Sequence, residues 1–161
     1  MISREQYLYF SGRALHGMIE IVAKLGDDLA NRKPALPGAN SPYALLHHCL
    51  GVVSYWGGEL VAGRHVPRDR DAEFTASGPV SPLIERAAQV EEQFHRDVAA
   101  SSPQEPLHGK PRTDYLGPVL ELDQGGALLH IYEELAQHHG QMEIMRDCIV
   151  LARQPDASAD E

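Results

Sequence analysis

Apolar residues recur every third or fourth position in four separate stretches of this chain, and no stretch alternates apolar with polar residues. That period puts the apolar side chains on one stripe of an α-helix, so each stretch needs a partner against which to bury it. The first opens on Ser3 with Gln6 three residues on, which fits a reciprocal helix cap. Its seam runs through Leu8, Leu15, Met18, Val22, Leu25 and Leu29 to about Asn31, and Pro34 and Pro37 end it. The second starts at Ser41-Pro42, a capping serine with proline in the first helical position, and runs to about Ala62 with Gly63 placed to close it. The third opens in the same way at Ser81-Pro82, with Leu83, Ala87, Val90, Phe94 and Val98 as its stripe. The fourth runs from about Asp123 to Leu151. Together they predict an all-α chain folded as a four-helix bundle. The connections 64–80 and 102–122 are long for a compact domain. Residues 1–151 read as one domain, and the polar, acidic stretch 152–161 as a disordered tail.

Charge narrows the partners. A net charge of −9 argues against nucleic acid or an anionic membrane surface. No apolar run approaches the ~20 residues of a membrane span. Met-Ile-Ser-Arg-Glu lacks the basic and then apolar regions of a signal peptide, so the expected location is the cytoplasm. Cys49 and Cys148 are then expected to be free thiols filling the core.

The fourth segment carries the chemistry. Its core-facing stripe is Ala127, Ile131, Leu135, Met142, Met145 and Ile149, and on a helical wheel Glu134 and His138 fall inside it. Glu133 and His139 fall on the opposite side, towards solvent, and His130 at the edge of the stripe. A carboxylate on the inner face of a bundle is costly unless it is paired or binds a metal. Glu134 and His138 are one turn apart, a spacing at which two helical side chains can share one ion. The second segment offers a third ligand. Its core face holds Leu45, Leu46, Cys49, Val52, Val53, Trp56 and Leu60; His48 flanks that face, whereas His47 lies with Gly51, Ser54 and Gly58 on the far side. The wheel therefore selects His48, Glu134 and His138 as metal ligands. Two imidazoles and a carboxylate suit Zn²⁺, with Ni²⁺ or Fe²⁺ as alternatives, better than Ca²⁺ or Mg²⁺. Three protein ligands also leave a position open, as in catalytic zinc sites. The plainer alternative is a hydrogen-bonded pair in the core, with Tyr55 or Arg146 as partner. His130 is a reserve ligand, expected first at the pocket rim or behind the ligands. His16, His65, His95 and His108 are expected at the surface, and Trp56 and Phe94 as packing anchors.

These residues resemble the DinB superfamily of metal-binding helical bundles, and most closely its branch that includes mycothiol-dependent maleylpyruvate isomerase. The resemblance lies in Ser41-Pro42 followed by His48, Gly51-Val52 and Tyr55-Trp56, and in His130, Glu133, Glu134, His138, Gly140 and Arg146. Arg68 to Phe74 is similar to the acidic linker that follows the second helix of that branch. The resemblance implies a DinB-like bundle, a metal held by His48, Glu134 and His138, and a homodimer. The isomerase also has a further C-terminal domain with no counterpart among these residues.

Three functions follow as expectations. The first is a thiol-dependent transferase or isomerase, in which an open metal site takes a low-molecular-weight thiol such as mycothiol and acts on a small-molecule substrate. Arg64, Arg68, Arg70 and Arg112, all in the long loops, could make its pocket locally basic. The second is a metal-dependent hydrolase with His130 as general base. The third is a non-catalytic metal-binding protein of a stress response.

Overall fold

A computed structural model of the chain describes residues 2–113 and 119–153. It is mostly helical, in the order α1 (Arg4–Ala30), α2 (Pro42–Val52) running on as a π-helix (Val53–Val61), α3 (Arg70–Glu73), α4 (Val80–Ala100) and α5 (Gln124–Leu151). Among the described residues the only extended pairing is an isolated antiparallel bridge between Pro106 and Asp123. The chain is an all-α bundle of the expected kind, with α3 as an extra single turn in the first long loop. Helix α1 packs on α4 and α5, α2 sits against α1 and α5, and the π-helical stretch lies between α4 and α5.

Local chemistry sets most of the helix ends. The Ser3 hydroxyl accepts from the Gln6 N–H, and the Gln6 carboxamide accepts from the Ser3 N–H, each at 3.1 Å. The Ser41 hydroxyl accepts from the Ala44 N–H, and the Asp123 carboxylate from the Gly126 N–H. Helix α4 departs from expectation. It begins at Val80, ahead of Ser81-Pro82, with no side-chain cap of its own. The orphan N–H of Val80 is satisfied instead by the Asp27 carboxylate of α1 at 2.8 Å, and the Ser81 hydroxyl donates to Glu85. A cap supplied by another helix leaves no local signature.

The seams are close to those expected. On α1, however, Tyr7 is buried and Leu8 only half-buried, because the Tyr7 hydroxyl reaches across to donate to the Leu128 carbonyl at 2.6 Å. Gly26 interrupts α1 at φ 65°, a conformation that costs glycine little and other residues more. On α4 the buried set is Leu83, Ala87, Phe94 and Val98, with Val90 at its edge. Asp97 is buried beside them, and accepts both a Nε–H and a terminal N–H of Arg64 at 3.0 and 2.7 Å. That pair fastens the chain leaving the π-helix to α4.

Residues 42–61 are buried almost without interruption, since α1, α4, α5 and α3 all touch this segment. Cys49 is fully buried and Cys148 half-buried; both thiols are free. Among the described residues no helix is long and apolar enough to cross a membrane. Of the expected tail, Ala152 and Arg153 form a turn, and 154–161 lie outside the described residues, as do 114–118 of the second long loop.

Candidate metal centre

Three side chains from opposite ends of the sequence meet between α2 and α5. The Nε2 of His48 lies 3.4 Å from a carboxylate oxygen of Glu134, and the Nε2 of His138 lies 3.5 Å from the same oxygen. The two imidazole rings stand nearly perpendicular, with centroids 5.3 Å apart. All three donor atoms lie within 4.8 Å of one another. Donors bonded to one ion at 2.0–2.2 Å stand roughly 3–3.6 Å apart, so the two carboxylate–imidazole separations already suit a shared cation. Nitrogen and oxygen donors on an inward face, with no lysine or arginine among them, could hold a divalent metal.

Each imidazole is gripped on its other nitrogen. The Nδ1 of His138 is 2.9 Å from the side-chain oxygen of Gln141, one turn along α5. The Nδ1 of His48 is 2.8 Å from a carboxylate oxygen of Glu73, the last residue of α3. Glu73 in turn takes two hydrogen bonds from Arg68, at 2.7 and 2.8 Å, and both side chains are only 4% exposed. Gly51 makes this possible: a Cβ at that position would collide with the Glu73 carboxylate. The Phe74 ring lies over His48 with centroids 4.5 Å apart.

A cavity of about 220 Å³ opens onto the three donors and is lined also by Trp56, Phe74 and Arg70. Its size is below the ~300–1,000 Å³ usual for drug-sized ligands. A family model of the DinB superfamily matches residues 12–142. The chain belongs to the DinB superfamily. No curated protein matches it.

In this DinB chain the match spans all three candidate donors, and the histidine neighbours sort as follows. His47 stands apart, its Nδ1 buried without a hydrogen-bond partner. Glu133 is exposed and bonds the Nδ1 of His130 at 3.2 Å. His130 is buried in the cavity wall, its ring edge-on to Trp56 with centroids 4.6 Å apart. His139 does not point to solvent as the wheel suggested. It is half-buried over Gly17 of α1, where the missing side chain leaves room for its ring. His16, His65, His95 and His108 are exposed, and His16 pairs with Glu91 at 2.8 Å. Arg146 pairs with Asp147 beside it, and the Tyr55 hydroxyl accepts from the Arg112 backbone N–H. Of the loop arginines, Arg68 and Arg70 line the cavity, whereas Arg64 is held elsewhere by Asp97.

Glu73 is the residue that sequence reasoning missed. The stretch around it was marked only by likeness to an acidic linker, and its partner lies 25 positions away. A glutamate near the end of a charged loop gives no sign that it will be buried.

Charge is tightly coupled among these side chains. Burial works to raise the pKa of Glu134, but hydrogen bonds from His138 and His48 outweigh it and hold the carboxylate far below its usual range. Burial likewise opposes the charge on Glu73, and Arg68 and His48 overcome it. For His48 burial lowers the pKa, yet Glu134 and Glu73 together raise it above its ordinary 6.5. Burial, and then the same two carboxylates, push the Cys49 thiol well up, so it stays protonated as a packing residue.

A pH dependence follows. A metal needs the lone pair that a proton occupies on His48, so binding must displace protons. Because that pKa is raised above 6.5, apparent affinity is expected to climb with pH until His48 is neutral, then level off. Calorimetry in buffers of differing ionisation enthalpy would count the protons released; affinity that does not change between pH 6 and 8 would contradict it.

Proposed function

We propose that this DinB protein is a divalent-metal enzyme that takes a low-molecular-weight thiol at His48, Glu134 and His138 and acts as a transferase or isomerase. The observation that carries this reading is a carboxylate flanked by two imidazoles at the base of a metabolite-sized cavity. Zn²⁺ suits the donors best, with Ni²⁺ or Fe²⁺ as alternatives. When bound, such an ion would make the thiol proton easier to lose and favour the nucleophilic thiolate at neutral pH.

The residues around the cavity have complementary tasks. His130 can donate its Nδ1–H to Glu133, which leaves Nε2 with a lone pair as a proton acceptor for the thiol S–H. Arg70 lies on the cavity wall with its guanidinium 5.1 Å above the Phe74 ring, and among the described residues no carboxylate pairs with it. It supplies the positive charge that an anionic thiol or substrate would need in a chain of net charge −9. The likeness to the mycothiol-dependent branch supports the thiol, and Trp56 and Phe74 offer flat apolar walls for a small carbon skeleton.

A hydrolase reading has one observation in its favour, the His130–Glu133 pair, which could equally take a proton from water. Calorimetry separates the two. The zinc-loaded protein is expected to bind one equivalent of mycothiol and to turn over thiol conjugates, whereas the metal-free protein binds none. Ester or amide cleavage without thiol would replace this reading with the hydrolase. Neither thiol binding nor turnover would leave the non-catalytic, metal-binding reading.

A further inference from the structure

We infer that Glu73, clamped by Arg68, is a positioning residue for the metal centre: it fixes His48 in the tautomer whose Nε2 lone pair faces Glu134 and His138. The inference rests on the metal-centre reading above, and adds a residue from a different helix to it.

A neutral imidazole carries its proton on one nitrogen or the other, and only the bare nitrogen can ligate. Nothing about α2 alone decides which. Two carboxylates that can only accept compete for that proton: Glu73 at Nδ1, 2.8 Å away, and Glu134 at Nε2, 3.4 Å away, so the shorter bond to Glu73 draws the proton to Nδ1 and leaves Nε2 bare. A buried carboxylate with a single neutral partner would be expensive and prone to take up a proton itself. Arg68 prevents this by donating twice to the same carboxylate, and lies as deeply buried as Glu73. Glu73 therefore stays an acceptor and does not compete as a donor. The imidazole plane is fixed as well, since Phe74, next to Glu73 in sequence, covers the face of the His48 ring. The bare backbone of Gly51 is what lets this carboxylate lie against α2. Two contacts, from Glu73 and Phe74, thus converge on one ring from one short stretch of the first long loop, and Arg68 holds the first of them in place.

Glu73→Gln is the first test. Its carboxamide can present an NH₂ to Nδ1, which would favour the opposite tautomer with the proton on Nε2. Zinc affinity, measured by competition with a chromophoric chelator, is expected to fall about 10- to 100-fold with the donors unchanged. In the metal-free protein, the ¹⁵N shifts of His48 at a pH where it is neutral should report Nδ1–H in the wild type and a mixture or Nε2–H in the variant. Because Glu73→Gln strands the Arg68 charge, Glu73→Gln with Arg68→Met is the second variant. It removes the buried charge pair together and should recover stability but not zinc affinity. Wild-type zinc affinity in a folded variant of either kind, or an unchanged His48 tautomer, would overturn the inference. If the wild-type protein itself binds no stoichiometric zinc, the metal-centre reading fails instead, and the tautomer measurement still decides the role of Glu73.

Discussion

Replacing His138 with Ala is expected to remove stoichiometric metal from the purified protein while leaving the helical bundle intact. His138 is near the cavity surface, with a side chain 18% exposed, and it makes polar contacts with Glu134 and Gln141 on its own helix. Losing it opens no large core void, so the stability of the metal-free protein should change by ~1 kcal/mol or less. Losing one of three donors should weaken binding by more than the ~100-fold that an outer partner can cost. His139→Ala is the matched control. Its ring packs on Gly17 of α1, away from the donor group, so that change should cost packing and spare the metal. Elemental analysis of both variants, with circular dichroism to show folding, reads the result. A full equivalent of metal in folded His138→Ala would remove this residue from the site.

Gly51→Ala should be strongly destabilising for the addition of a single methyl group. The added Cβ would occupy the place of the Glu73 carboxylate, which is held by Arg68 and His48 and has little freedom to retreat. Displacing it breaks a buried ion pair, a change that costs about 3–5 kcal/mol when one charge is left uncompensated. Metal affinity should fall with it. Chemical denaturation at pH 7 provides the measurement, and a loss below ~1 kcal/mol would show that the α3 turn can move aside without penalty.

The residues explain what was legible beforehand. Helices α1, α2 and α5 begin where a side chain next to the first turn satisfies an orphan N–H, so Ser3, Ser41 and Asp123 could be read directly. Helix α4 could not be placed to the residue, because its first N–H is met by Asp27 from another helix. The candidate donors were legible because a carboxylate and an imidazole inside an apolar stripe break a pattern. Glu73 and Arg68 break none: they sit in a charged loop, where polar residues are the rule, and only the tertiary fold buries them. His139 misled for the opposite reason, since a wheel assumes one buried stripe per helix and cannot see that Gly17 of α1 makes room on another side. The widening of the second helix after Val52 was hidden too, because its apolar positions continue the stripe of a regular helix as far as Leu60.

That π-helical stretch separates two things that a uniform helix would lock together. His48 lies before it, in regular α-helix, and Trp56 lies within it, on the cavity wall. An i→i+5 turn holds more residues than an α-turn, so the stretch between Val53 and Val61 can take up a change of one residue and leave His48 where it is. The aromatic wall over the donors is thus set by wider turns than those that carry the ligand. A lineage built on this bundle could change what it accepts far more readily than how it holds its ion.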